Sequence, residues 1–545
     1  MIGVLVEKEF AVDASSPRMA NARALLAGGI CVGLAFGMTG FRFDGGDISE
    51  VPRYGRAMFS MIAWLQVAGV LLAGPALTLG AVSGERRRGT LGILTLAGFG
   101  PASIVFGKFA ARLAATLLVL VTTVPIALFV SAYGGTSPEE VVVVYVTCAC
   151  AAAWSCALGI LLSVLLEEGT AAMVVALTAV ALTCGLPLAI ARGAGGASAT
   201  TWFGPLAVLY NVLELGLLAD GTGAVRAEWV ASAAGLLAQA AGLLAVAALA
   251  LSRLSLRPLP LEEWFARLVA VIEPLVPRAV PTSAQILVAE VDSGDFNAFA
   301  WREAYGRTRL GLRSVAGLSL AATAALVASY LPLSERLNDY GFHMVITLTL
   351  VGLVVMIATA LASASIASEK EDKSLETLVL LEVVPWRYVQ GKFRGLMWIC
   401  LLLCVPPLVH TTIFWLAGRL SFLVPLSVLV ALPMAIACAI AQGLWFSLRA
   451  QTVTRAVVAG VVGQILVMGS TSLCCLLFPV NPLYLIASAL LLGPLRAANG
   501  WVVVPVAVIG LIAYHGNVRY VNWLLWKTTE RFNAQVAQHL EGDGR

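Results

Sequence analysis

The sequence predicts an all-α, polytopic helical membrane protein, with two six-helix repeats in one chain. Three observations predict it. Apolar residues make up 59% of the 545 and charged residues 12%, against about 25% charged in a soluble domain. Such a chain cannot solvate its own surface, so it belongs in a bilayer. Apolar runs of about 20 residues, the length that crosses a hydrocarbon core, recur along it. Finally, one charged amphipathic segment occurs twice.

The apolar runs give the spans in order. In the first half they lie near 24–41, 57–83, 110–133, 141–166, 171–191 and 229–252, and in the second near 314–332, 343–367, 395–418, 420–447, 455–477 and 500–518. That is about twelve transmembrane helices, each long enough to span. Ahead of the first run stand Glu7, Lys8, Glu9 and Asp13, which argue against a cleavable secretory signal. The halves cover 1–256 and 301–545. The linker, 257–300, is broken by Pro258, Pro260, Pro274, Pro277 and Pro281. Within it, Leu261 to Leu275 has the pattern of an amphipathic interfacial helix. Segments 202–218 and 477–493 each pair Pro-Leu with a short apolar run. They read either as re-entrant or interfacial helices or as apolar loops. Most of the ten cysteines lie in apolar runs, without metal-ligand spacing to histidine, and read as packing residues.

Orientation follows from Lys and Arg in the loops. With a cytoplasmic amino terminus, 27 of the 35 fall on the cytoplasmic side and 8 on the other. Both termini are therefore expected in the cytoplasm. The net charge of +4 gives no sign of nucleic acid as a partner.

The repeated segment runs from Glu85 to Phe109 and again from Glu369 to Phe393, without a gap, at an offset of 284 residues. Glu85/Glu369, Leu91/Leu375, Leu94/Leu378, Leu96/Leu380, Pro101/Pro385, Val105/Val389, Gly107/Gly391, Lys108/Lys392 and Phe109/Phe393 are identical. About two such matches would arise by chance. Each glutamate is expected near a helix start, where a carboxylate meets the positive end of the dipole. Leucines at helical spacing then give one apolar face, and the proline ends the helix. The Gly-Lys step leads into the next span, with the ammonium at the phosphate level. A second, weaker repeat is the acidic-basic pair Lys8-Glu9 and Arg302-Glu303 ahead of the first span of each half.

A glutamate-basic start, a Thr-Leu or Ser-Leu-Glu step, leucines, a proline and a closing Gly-Lys resemble the cytosolic loop of the type-2 ABC exporter permeases. The matching positions are Glu85, Arg86, Gly89, Thr90, Leu91, Leu94, Gly107 and Lys108 in the first half. In the second they are Glu369, Lys370, Ser374, Leu375, Glu376, Leu378, Gly391 and Lys392. The chain departs from the pattern at Gly92, Gly98 and Glu382. The resemblance implies six spans per half and a coupling helix after the second span that docks on an ATPase subunit. It implies a multi-pass protein of a prokaryotic plasma (inner) membrane, with membrane lipids around it and two copies of a cytosolic ABC ATPase as partners. ATP and magnesium belong to that partner, and no cofactor is expected in this chain. Gly107-Lys108 and Gly391-Lys392 are followed by Phe, not by the hydroxyl residue a P-loop requires. The chain is therefore expected to be a permease without its own ATPase site and not an enzyme. Replacing Glu85 or Glu369, or both Leu91 and Leu375, is expected to uncouple ATP hydrolysis or weaken ATPase association without unfolding the spans.

Two other readings compete. An ion- or proton-coupled secondary transporter keeps ionisable residues inside its spans. Here the polar side chains in or near the runs are mainly Gln66, Gln239, His410, Gln442, Gln464 and His515, and His410 reads as structural. An intramembrane metalloprotease is suggested by the EExxxR run at Glu262 to Arg267. That run sits in the linker and lacks histidine motifs in later spans. The apolar spans suggest a hydrophobic or amphipathic substrate.

Overall fold

A computed structural model describes residues 51–166, 169–185, 204–214, 223–254, 297–306, 312–331, 337–371, 384–473 and 503–542, with positions 28, 187–188, 373–375, 378 and 486 besides. The described residues are helical almost throughout, and no strand occurs among them. The chain is an all-α, polytopic, membrane-type protein. It divides into two compact units, Met1–Leu259 and Pro260–Arg545. Of the expected linker, only 297–300 are described. The 261–275 helix, the Glu262 to Arg267 run, the Lys8-Glu9 pair and all but one residue of the 24–41 span lie outside the described residues.

In the first unit α1 (Val51–Thr78) leads through a turn into two short helices, α2 (Ser83–Arg87) and α3 (Thr90–Leu96). Then follow α4 (Pro101–Val121), α5 (Val124–Ser131), α6 (Pro138–Leu165), α7 (Gly169–Val180), α8 (Pro205–Leu209) and α9 (Gly223–Leu254). Helix α6 is the centre, packed against α1, α4 and α9. Its start is a capping box: the Ser137 hydroxyl accepts from the Glu140 N–H at 3.2 Å, and Glu140 accepts from the Ser137 N–H at 2.8 Å. The segment expected over 202–218 is a buried turn of helix at Pro205–Leu209 followed by a π-helical turn at Tyr210–Glu214.

The second unit opens on the short α10 (Ala298–Trp301), followed by α11 (Leu312–Ser329) and α12 (Tyr340–Glu371). Helices α13 (Pro385–Leu402), α14 (Val405–Leu416), α15 (Leu423–Arg449), α16 (Val453–Leu473) and α17 (Val503–Gly542) complete it. Helix α15 takes the central place, against α12, α13, α16 and α17. The last element extends well past the 500–518 expected of it.

Among the described residues, seven helical stretches are long and apolar enough to cross a membrane: Val51–Arg87, Pro101–Ser131, Pro138–Leu165, Trp229–Arg253, Tyr340–Glu371, Pro385–Leu416 and Leu423–Arg449. Shorter apolar helices at Ala172–Gly185, Val315–Ser329 and Val453–Gln464 fall on three further expected spans. Pro101 and Pro385 do more than end the preceding segment. Each sits in the first turn of the next helix, where a missing N–H costs nothing. Those helices therefore begin some ten residues earlier than hydropathy alone suggests.

The offset of 284 reappears in the packing. A Cβ on Gly159 of α6 would lie 1.8 Å from the Thr78 hydroxyl and 2.9 Å from the Pro75 Cα. A Cβ on Gly443 of α15 would lie 2.5 Å from the Ala362 Cβ and 3.0 Å from the Thr359 carbonyl. Gly443, Ala362 and Thr359 stand 284 residues beyond Gly159, Thr78 and Pro75. In each unit the helix before the repeated segment crosses the central helix at the same glycine, where only a hydrogen lets the backbones approach. The seven described cysteines are buried and free of disulfides.

Candidate functional site

Each repeated segment folds against the end of its unit's central helix, and the same contacts hold both. The N-cap of α2 is Val82, which has no side-chain oxygen to cap the helix. Ser163 of α6 supplies one: its hydroxyl accepts from the N–H groups of Val82 and Ser83 at 2.9 and 3.0 Å. Ser447 of α15 does the same for Ile366 and Ala367 at 2.9 and 2.8 Å. A basic side chain then meets the orphan carbonyls at the end of the central helix. Arg86 donates to the Val164 carbonyl at 3.1 Å, and Lys370 to those of Leu448 and, at 3.4 Å, Ala450. A cation there complements the negative end of the helix dipole. Next, the chain turns through a left-handed residue, Gly89 (φ 73°) or Lys373 (φ 54°). The Thr90 and Ser374 hydroxyls close the turn on the Glu85 and Glu369 carbonyls at 3.2 and 3.3 Å. Every member of these pairs is separated by 284 residues.

The identical Glu and Lys meet in both units. Lys108 pairs with Glu85 at 3.2 Å, its side chain 2% exposed and that of Glu85 27%. The Thr90 hydroxyl also donates to the Glu85 carboxylate. In the second unit Lys392, again 2% exposed, lies between Glu369 at 2.8 Å and Glu303 at 2.6 Å. Glu369 accepts from the Tyr388 hydroxyl and has Arg302 at 3.8 Å. Glu303 accepts from the Ser365 hydroxyl at 2.7 Å. Two carboxylates thus face an ammonium and a guanidinium, and the buried charges are paired as burial requires. Both lysines are buried, not held at the phosphate level as the sequence suggested. In the first unit the 16 positions from Gly92 to Gly107 return the chain to the glutamate, and in the second α13 carries Lys392 back to Glu369, so each segment is a strap closed by an ion pair.

Glu85 stands in the first turn of α2, as expected. Glu369 does not stand at a helix start. It lies in the last turn of α12, where the dipole disfavours a carboxylate, and Lys392, Tyr388 and Arg302 compensate. Gly391 serves the lead-in segment: a Cβ there would lie 2.4 Å from the Asn297 side-chain oxygen and 2.6 Å from the Phe299 Cβ. Gly107 is likewise buried. Leu91 is 2% exposed and turned inward, whereas Ile93 and Leu96 on the same short helix are 64% and 90% exposed. Leu94 is half-buried, and Leu375 and Leu378 pack on the core of their unit. Glu376 lies outside the described residues.

Sequence reasoning marked Arg302-Glu303 as a repeat but did not connect it with Lys392. Tyr388 was missed, because its counterpart is Ile104 and the repeat gives it no mark. The signal for Ser163 and Ser447 was present, since the offset of 284 makes both of them, and both glycines, identical. Comparison with known proteins returns no matching family model and no matching curated relative, so the function of these two straps is read from their geometry.

Proposed function

We propose that the chain is the membrane permease subunit of an ATP-driven ABC exporter, working with a separate ATPase subunit. The observation that carries this reading is a duplicated strap, closed by the same Glu–Lys pair and seated on the same serine in both units. In the first unit it holds out a two-turn helix with bare apolar side chains. An isolated helix that short is not stable, so it is held in place by inward Leu91, the Glu85–Lys108 pair and the seat that Ser163 gives the preceding α2. A rigid apolar tip on a membrane-type protein supports docking of a soluble partner. The sites proposed for docking are the two straps, from Glu85 to Lys108 and from Glu369 to Lys392, on the cytoplasmic side. Closure of an ATPase dimer would push on both and tilt the helices that follow. The nearly uncharged spans favour a hydrophobic or amphipathic substrate entering from the bilayer.

The test is purification of the full chain from its own membranes in mild detergent. ATP hydrolysis is expected to copurify with it. The double variant Ile93→Asp/Leu96→Asp is expected to lose most of that activity while the protein stays monodisperse. Unchanged hydrolysis in the variant, or no hydrolysis with the parent, overturns the reading. One observation favours the secondary-transporter alternative. His343 and His410 are buried with ring centroids 5.5 Å apart, and Tyr330 lies 2.5 Å from His410 Nδ1. Vesicle uptake driven by a proton gradient without ATP would select it.

A further inference from the structure

The end of the second unit that carries the strap also gathers cations that pair with no carboxylate among the described residues. Arg449 closes α15, and its guanidinium lies 4.9 Å from the centre of the Trp445 ring. The Arg531 guanidinium, from α17, lies 5.9 Å from the same ring. Lys370 reaches the Leu448 and Ala450 carbonyls, which flank Arg449. None of the ion pairs among the described residues includes Lys370, Arg449 or Arg531. The acids nearby are engaged elsewhere. Glu530 pairs with Lys527 at 2.8 Å, Glu369 is held by Lys392 and Tyr388, and Glu371 has an interaction of its own. One indole attracts both guanidiniums to its ring. Like charges gathered in this way still repel each other unless an anion sits among them.

The depth of this cluster names the anion. Helix α17 has 40 residues, a length of about 60 Å and twice the hydrocarbon thickness, so part of it runs beyond the apolar layer. Its buried side chains, Val521, Leu524, Leu525, Thr528 and Phe532, keep one stripe against the unit. Its other face exposes Trp523 and Trp526 at 51% and 54%, with the Lys527 ammonium 4.6 Å from the Trp526 ring. Exposed indoles beside cations belong at the boundary between apolar chains and headgroups.

We propose that Lys370, Arg449 and Arg531 bind the phosphate of an anionic phospholipid headgroup, with both guanidiniums gathered on the Trp445 ring. Guanidinium donors fit phosphate oxygens in pairs. This site rests on the chain lying in a bilayer and not on the exporter reading, so either can fail alone. The full chain, delipidated in detergent, is titrated with phosphatidylglycerol or phosphatidylcholine, and bound lipid is counted by native mass spectrometry. Phosphatidylglycerol is expected to be retained in preference, and excess inorganic phosphate is expected to leave it in place. The Arg449→Gln/Arg531→Gln variant should bind it about 30-fold more weakly, and the exposed Arg531→Gln alone about 5-fold. Equal retention by Arg531→Gln and the parent overturns the site. Equal binding of phosphatidylcholine does so too, and displacement by inorganic phosphate makes it a site for soluble anions.

Discussion

The two straps use the same Glu–Lys pair at different depths, and the helix before each decides the difference. In the first unit α1 stops at Thr78 and a turn intervenes before α2. Gly74, Pro75 and Gly80 precede or enter that turn. Their counterparts in the second unit are Ala358, Thr359 and Ala364, and there α12 runs unbroken to Glu371. Glycine and proline weaken a helix that alanine sustains. The break frees α2 to begin anew, so Glu85 meets a favourable dipole and keeps 27% of its side chain in solvent. The unbroken helix instead buries Glu369 at an unfavourable end, where the fold has gathered Lys392, Tyr388, Arg302 and Glu303. One repeated ion pair can thus be a solvated clasp or the centre of a buried network, depending on two glycines and a proline some five to eleven residues away.

Removing the lysine should separate the two cases most widely. Lys392→Met leaves Glu303 and Glu369, 7% and 1% exposed, facing one another without the ammonium between them, with the half-exposed Arg302 3.8 Å from Glu369 and the Tyr388 and Ser365 hydroxyls still bonded to them. The expected loss is about 3–5 kcal/mol, as for other broken buried pairs. Lys108→Met leaves Glu85 partly solvated and still bonded to Thr90, so roughly 1–2 kcal/mol is expected after solvent screening. Chemical unfolding in mixed micelles measures both. Equal losses would mean that the difference in burial has no energetic consequence.

Much of this was legible in the sequence, and the limits have physical causes. The hydropathy runs gave the fold class because a bilayer leaves little choice of structure. The repeat gave Glu85, Lys108, Glu369 and Lys392 because identity at one offset needs no geometry. It could not say that those residues touch. That depends on Pro101 and Pro385 starting helices that carry the lysines back, and proline reads equally as a stop or a first-turn residue. Nor could it choose between Leu91 and Ile93 or Leu96 as the outward face. A helix of seven residues, Thr90–Leu96, has two turns and apolar residues on both sides, so periodicity has nothing to discriminate. Arg302-Glu303 was visible as a pair, but its offset of 294 set it apart from the strap at 284.

The serine seats should show the next largest contrast. Ser163→Ala removes the acceptor for two N–H groups at the start of α2, where the carbonyls four residues back already serve other donors: Thr78 accepts from the Ala81 N–H and Leu79 from the Ser83 hydroxyl, both at 2.9 Å. A lost cap of this kind costs about 1–2 kcal/mol. Ser447→Ala exposes the N–H groups of Ile366 and Ala367, but these lie inside α12 and have Ala362 and Ser363 behind them as helical acceptors. About 0.5 kcal/mol or less is expected there. Hydrogen exchange at residues 82–83 and 366–367 would reveal the difference locally. Faster exchange at 366–367 than at 82–83 in the paired variants would reverse it.

The smallest contrast lies in the turn itself, and it can be made to change sign. Gly89 and Lys373 occupy the same left-handed position, and each N–H returns to the carbonyl three residues back, at 3.0 Å to Arg86 and 3.2 Å to Lys370. Glycine takes that conformation freely, whereas a residue with a Cβ is strained by about 1 kcal/mol or more. Lys373 is exposed, so its side chain contributes little packing to offset the strain. Lys373→Gly should therefore stabilise the second strap by roughly 0.5–1 kcal/mol, the unfolded-state entropy of glycine taking back part of the gain. Gly89→Lys should destabilise the first by about 1 kcal/mol. A thermal shift of opposite sign for the two substitutions is the expected result. Matching signs would show that the two turns, alike in dihedral and hydrogen bond, do not share one backbone requirement.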